Sequence, residues 1–208
     1  MRRLPYLSAH TLLDLDTPMR DDPRRSYVSL LHAMRRLCAE PDRDAQELWR
    51  RMVFNGLIGN ADDHPRNHGF IRGQNGWQLS PAFDIAPHTV YTNDHAMAFE
   101  PYSSPTSPRS TATLFDWRVD RLVDLAASPL VNLSRRQAVQ FIRQTRDLMQ
   151  DRSPQLLSQG GTPSPVLWPA SQNIHPGLSD QELESVAQEP ENRGRQKHRG
   201  QRRSGHRR

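Results

Sequence analysis

Apolar residues at Tyr27, Leu30, Leu31, Met34 and Cys38 fall on one face of a helix running from Ser26 to about Glu40, with Pro41 as its stop. Asp42 or Asp44 can cap the next helix, and Asp44 with Glu47 makes a capping-box-like pair. The inward face of that helix is Leu48, Met52, Val53 and Leu57, and Gly59 is its expected end. The polar string Asn60-Ala61-Asp62-Asp63-His64-Pro65-Arg66-Asn67 follows directly. His68 to Arg72 and Trp77 to Leu79 read as two short strands around Gly73-Gln74-Asn75-Gly76, which carries the Asn-Gly hairpin signal. Two more helices are expected. One is marked by Phe115, Val119, Leu122, Val123 and Ala126. The other, capped by Ser134, is marked by Ala138, Phe141, Ile142, Thr145, Leu148 and Met149.

The remaining segments are poorer in signal. Residues 1–23 contain Pro5, Pro18 and Pro23 and read as short extended and turn pieces. Residues 101–113 are rich in Ser, Thr and Pro and read as a loop. Beyond Asp151 the periodicity fades into Pro, Gly, Ser and Gln, with at most a short helix over residues 180–188. The expected fold is therefore mainly α with some β: a helical body with one small β-hairpin over residues 1–150. Residues 151–208 are expected to be a disordered tail.

Composition supports that division. Hydrophobic residues are 35% of the 208, there are 17 prolines, and the mean hydropathy is −0.82. The net charge of +5 is unevenly spread. Residues 193–208 carry eight Lys or Arg and no acid, which leaves 20 basic against 23 acidic side chains in residues 1–192. Such a tail can contact nucleic acid nonspecifically through phosphates, or be a solvated end with no partner. No apolar run reaches the length of a membrane span, and no signal peptide is apparent at the start. The single cysteine, Cys38, fits a reducing compartment, so a cytoplasmic protein is expected.

The candidate chemistry lies between residues 55 and 85. Asp62 and Asn67 are five positions apart, and a second carboxylate, Asp84, follows the hairpin. Phosphoryl transfer by protein kinases uses such a trio: an Asp that accepts the hydroxyl proton, an Asn that holds one Mg²⁺, and a further Asp that holds metal on the nucleotide phosphates. Flanked by Phe83 and Ile85, Asp84 is expected to need a partner such as a metal or an arginine. Asp and Asn in a loop also serve simply to turn the chain. His64 and His68 have helical metal-ligand spacing, but Pro65 between them argues against a helix there.

The stretch Phe54-Asn55-Gly56-Leu57-Ile58-Gly59-Asn60-Ala61-Asp62-Asp63-His64-Pro65-Arg66-Asn67-His68-Gly69-Phe70, followed by Leu79-Ser80-Pro81-Ala82-Phe83-Asp84-Ile85, resembles the catalytic core of the HipA family. These are bacterial serine/threonine kinases that act as toxins of type II toxin–antitoxin systems. The opening Leu4-Pro5-Tyr6-Leu7-Ser8-Ala9 resembles the segment entering the family's helical C-terminal lobe, and the likeness is best over residues 4–100. The resemblance implies ATP and Mg²⁺ as cofactors, a protein Ser or Thr as substrate, and a helix-turn-helix antitoxin as partner. It implies Asp62 as catalytic base, His64 on the nucleotide phosphates, Asn67 and Asp84 on Mg²⁺, and Phe83 beside the nucleotide.

One departure bears on activity. No glycine precedes Gly56 and no lysine precedes Lys197, so residues 1–192 hold neither a phosphate-binding glycine loop nor a phosphate lysine. The expectation is a catalytic lobe without its lid, a truncated form inactive by itself, because charge stabilisation dominates phosphoryl transfer. Two other classes compete with this reading. One is a non-catalytic binding module using the acidic body or the basic tail. The other is a metal-dependent phosphoesterase built from Asp62, Asp63, His64, His68 and Asp84.

Overall fold

The computed structural model describes residues 3–16, 22–86, 95–99, 116–158 and 178–188, with side chains of 152–158 left aside. The Ser/Thr/Pro stretch 101–113, Phe115 and the basic segment 193–208 lie outside these residues. The elements in chain order are β1 (Tyr6–Ser8), α1 (Ala9–Leu12), α2 (Tyr27–Leu37), α3 (Pro41–Ile58), a 3₁₀ turn (Pro65–Asn67), β2 (Gly69–Gly73), β3 (Gly76–Leu79), α4 (Val119–Ala126), α5 (Arg135–Ser158) and α6 (Asp180–Ala187). The molecule is mainly helical with a small antiparallel sheet, as the hydrophobic pattern predicts.

Helix α2 starts where Ser26 turns its hydroxyl onto the Ser29 amide, 3.0 Å away, and it buries Tyr27, Leu30, Leu31 and Met34. Helix α3 departs from expectation at its start. Pro41 opens it without a side-chain cap, a position where proline's missing N–H costs nothing. Asp44 is buried instead, and its carboxylate accepts the Leu79 amide at 3.1 Å, tying α3 to β3. The end of α3 follows the prediction. Gly59 takes the left-handed conformation (φ 64°), and the amides of Gly59 and Asn60 return to the carbonyls of Gly56 and Asn55. Leu48, Met52, Val53 and Leu57 are fully buried, so the 18-residue helix forms the centre of the core.

The expected hairpin is present in the register Phe70↔Leu79 to Gly73↔Gly76, with Gln74 and Asn75 as the two connecting residues. The sheet has one strand more than expected, because β1 pairs antiparallel with β2 through Tyr6↔Ile71, Leu7↔Phe70 and Ser8↔Gly69. Helix α5 begins with a reciprocal cap. Ser134 Oγ accepts the Gln137 amide at 3.2 Å and Gln137 Oε1 accepts the Ser134 amide at 2.9 Å. One residue of its expected inner face, Leu148, is exposed instead.

The expectation that folding ends near residue 150 requires correction. Helix α5 continues to Ser158, and α6 packs on α4 and α5, with Leu183 and Val186 in the core. Arginines hold it there. Arg146 donates to the Leu178 carbonyl at 2.9 Å and to Asp180 at 2.8 Å, and Arg143 pairs with Glu184 at 2.6 Å. Among the described residues no helix is long and apolar enough to cross a membrane.

Candidate active-site loop

The loop leaving α3 has a buried root. Asp63 is nearly inaccessible and its carboxylate gathers three partners. Tyr27 donates its hydroxyl, Asn55 donates Nδ2 at 2.7 Å, and His68 Nε2 lies 3.1 Å away as an ion-pair contact without good hydrogen-bond alignment. Burial raises the pKa of Asp63, but the charge of the adjacent His68, with the hydrogen bonds from Tyr27 and Asn55, outweighs it and leaves the carboxyl below its ordinary value. Burial, and then the charge of Asp63, push the Tyr27 hydroxyl well above its usual range, so it remains a donor. Asn55 in turn accepts Nδ2 of Asn60 at 3.2 Å. One end of α3, the start of α2 and the entry to β2 thus share one carboxylate.

A second brace comes from residues 95–99. Ala96 donates its amide to the Ala61 carbonyl at 2.9 Å, and His95 Nδ1 lies 3.1 Å from the Asn60 carbonyl. The same segment reaches the head of α2, where the Tyr27 amide donates to the Ala98 carbonyl at 2.9 Å. The first half of the Asn60–Asp63 turn is therefore held through its backbone, and the second half through the side chains on Asp63.

Asp62 projects from this anchored turn and is exposed. Asn67 is buried, and its Nδ2 donates to the backbone carbonyl of Asp62 at 3.1 Å. That bond draws the two ends of the five-residue spacing together and commits the amide nitrogen of Asn67, leaving Oδ1 as the atom this side chain could offer a metal. His64, half-buried, precedes the 3₁₀ turn, and its Nδ1 is buried with no protein partner.

Asp84 stands on a separate segment whose root is well held. The Ser80 amide donates to the Gly69 carbonyl at 2.8 Å, and the buried Arg51 donates Nη2 to the Ser80 carbonyl at 2.7 Å. From there the chain emerges, and Phe83 and Asp84 are both exposed, Phe83 at 42%. The expectation that apolar neighbours would bury Asp84 and force a partner on it is not met. Its backbone is unusual, with φ at 55° in a residue that is not glycine, a conformation sparsely populated and common where function constrains the chain.

Hard oxygen donors fit Mg²⁺, which binds through one or two protein oxygens together with nucleotide phosphates. Asn67 Oδ1 and the exposed Asp84 carboxylate are donors of that kind. Among the described residues, no three His, Cys, Asp or Glu side chains gather into a metal-binding group. Asp63 and His68 are engaged with each other, which removes two ligands from the phosphoesterase arrangement.

Residues that the sequence reading left without a role are Asn55, Asn60, Arg51 and His95. Asp63 appeared there only among metal ligands. The pattern Asn55-(four residues)-Asn60 at a helix end was the available signal, since two amides leaving an apolar helix must find buried partners.

This geometry is a helix-anchored loop with an exposed carboxylate and a back-bonded asparagine. The model for the HipA-like C-terminal domain matches residues 1–152, and the chain belongs to that family. Over 66 residues it is 27% identical to a protein of Sinorhizobium fredii (strain NBRC 101917 / NGR234) named "Putative kinase Y4mE", covering 32% of this chain and 16% of the relative. Its fold resembles that in the complex of Shewanella oneidensis MR-1 HipA, HipB and operator DNA, with a TM-score of 0.52 and 18% identity, over 89% of this chain and 41% of the other. The chain thus spans less than half the length of either.

Proposed function

We infer that this chain is the catalytic lobe of a HipA-type serine/threonine kinase, supplying the base and metal ligands for transfer of the ATP γ-phosphate to a protein hydroxyl. The observation that carries the reading is the bond from Asn67 Nδ2 to the Asp62 carbonyl, 3.1 Å long, in a loop rooted on a buried Asp63. It puts a solvent-facing carboxylate and an amide oxygen on one short loop, which is what a proton acceptor beside a metal ligand requires.

In this reaction Asp62 takes the hydroxyl proton of the acceptor Ser or Thr while that hydroxyl oxygen bonds to the γ-phosphorus, and the bond from the γ-phosphorus to the bridging oxygen breaks to release ADP. Asn67 and Asp84 would hold Mg²⁺, which when bound neutralises phosphate charge. His64, through its unpartnered Nδ1, is suited to a phosphate oxygen, and Phe83 offers an exposed ring to the nucleotide. The lysine and glycine-loop functions have no residue in positions 1–192 to perform them and must come from a second lobe. HipB and operator DNA accompany the Shewanella protein. We extend an antitoxin partner to this chain as part of the same proposal.

The test is transfer of labelled phosphate from ATP to a generic protein substrate. The 208-residue chain alone is expected to show none. The chain with an N-terminal lobe of a related kinase fused before Arg2 is expected to transfer phosphate, with loss of transfer in Asp62→Ala. Robust transfer by the unfused chain, or transfer by the fusion that survives Asp62→Ala, overturns this account.

A further inference from the structure

The proposed reaction leaves one cluster beside the loop unused, Arg66 with His10. Arg66, the middle residue of the 3₁₀ turn, is exposed, and its Nη2 lies 3.1 Å from Nε2 of His10 on α1. Among the described residues no carboxylate stands within ion-pairing distance of Arg66. Arg25 and His64 are close enough to act on His10 electrostatically, and Asp16 is the acidic group opposing them. Arg25 itself is anchored, donating Nε to the Ala96 carbonyl at 3.0 Å. Arg66 thus presents an exposed guanidinium, held by a histidine and not by a carboxylate among the described residues, and such a group draws anions.

Direction separates this cluster from the metal side of the loop. In a 3₁₀ turn with three residues per turn, successive side chains diverge by about 120°. Asn67 turns inward to the Asp62 carbonyl, whereas Arg66 turns outward to α1. Arg66 and Asp62 are exposed residues of the same short loop, so a group that meets Arg66 belongs to whatever approaches that loop from outside. On the reading above, that is the protein bearing the acceptor hydroxyl.

We propose that Arg66, steadied by His10, recognises a carboxylate of the protein substrate close to the Ser or Thr that Asp62 deprotonates. The planar guanidinium pairs with a carboxylate through two parallel hydrogen bonds, which fixes orientation as well as charge. The state of His10 suits this role. Partial burial, then Arg66, Arg25 and His64, hold its pKa below the ordinary 6.5 against the pull of Asp16. At neutral pH the ring is uncharged and its Nε2 accepts from Arg66, orienting the guanidinium without repelling it. A carboxylate docked on Arg66 offsets the charge of Arg66 at His10 and so raises the His10 pKa.

The inference rests on the kinase reading, yet its test needs no catalysis. Histidine ring signals of the 208-residue chain are followed by NMR while a serine peptide flanked by glutamates, its glutamine counterpart, or Mg²⁺–ATP is added. The glutamate peptide is expected to shift the His10 signals, raise the His10 pKa, and bind about tenfold more tightly than the glutamine peptide, the loss typical of one charge-assisted pair. Arg66→Gln is expected to abolish the preference and Arg66→Lys to keep part of it. Equal binding of both peptides, no perturbation of His10 by either, a preference that persists in Arg66→Gln, or displacement of the peptide by Mg²⁺–ATP would each overturn the proposal. Failure of phosphate transfer with the preference intact would instead refute the reaction and leave this site standing.

Discussion

Asp62 and Asp63 are neighbours in sequence and opposites in environment. Asp63 is enclosed by Tyr27, Asn55 and His68, drawn from α2, α3 and the entry to β2. Asp62 faces solvent, and among the described residues its part in the local hydrogen bonding is its backbone carbonyl, which accepts from Asn67. The same division separates Arg51 and Ser80, locked under the second segment, from Phe83 and Asp84 at its tip. A buried root fixes the backbone, and an exposed rim carries groups with spare bonding capacity. Stability and chemistry are thereby assigned to different residues of one loop, which is how a site can be held rigid while its reacting groups stay open to substrate.

Substitutions can break that comparison, and the largest effect is expected at the root. Asp63→Ala leaves Tyr27, Asn55 and His68 facing an empty site, and loss of one member of a buried charged pair costs about 3–5 kcal/mol. That is a large share of the stability of a domain of this size, and thermal melting followed by circular dichroism should fall by roughly 10 °C. A melting point within 1–2 °C of the parent, about the effect of a surface change, would mean the root is not structural.

Leu183→Ala asks how far the supporting core extends. Leu183 is fully buried on α6, and removing its methyl groups should cost about 2–5 kcal/mol. An unchanged denaturant midpoint would detach residues 178–188 from the fold and return the boundary to the end of α5.

Acid sharpens the comparison with a smaller effect. The Asp63 carboxyl has a lowered pKa in the fold, so its contribution to stability is complete above the unfolded value of 3.8 and fades as pH falls through the lower folded value. In Asp63→Asn, stability measured by urea unfolding should lose part of its dependence on pH below 4. Identical acid profiles for parent and variant would show that Asp63 gains nothing from its partners.

Much of this root could be read from the sequence, though not its central residue. The period of Leu48, Met52, Val53 and Leu57, with Gly59 after them, is long and regular enough to define α3 and its end, because tertiary burial and local capping agree there. The Asn75-Gly76 signal defined the hairpin for the same reason. Strand β1 has only three residues, too short for alternation to register, and α6 has two core residues isolated behind a stretch rich in Pro and Gly. In the loop, chemistry identified Asp62, Asn67 and Asp84 as candidates by spacing alone. Which of two adjacent aspartates turns inward depends on the Asn55 and Tyr27 side chains, which come from two other helices, and no local pattern encodes that. Asp84 failed in the other direction, since Phe83 beside it is exposed and lends it no burial.

The division of labour is tested most directly by carrying Asp62→Ala and Asp63→Ala through the same two assays. The assays are thermal melting of the 208-residue chain and labelled phosphate transfer by the chain fused to a kinase N-terminal lobe. Asp62→Ala should melt within about 0.5 kcal/mol of the parent, as surface changes do, while abolishing transfer. Asp63→Ala should lose stability first and transfer as a consequence. Transfer that persists without Asp62, or an Asp62→Ala variant that destabilises as much as Asp63→Ala, would contradict the assignment of chemistry to the rim and anchoring to the root.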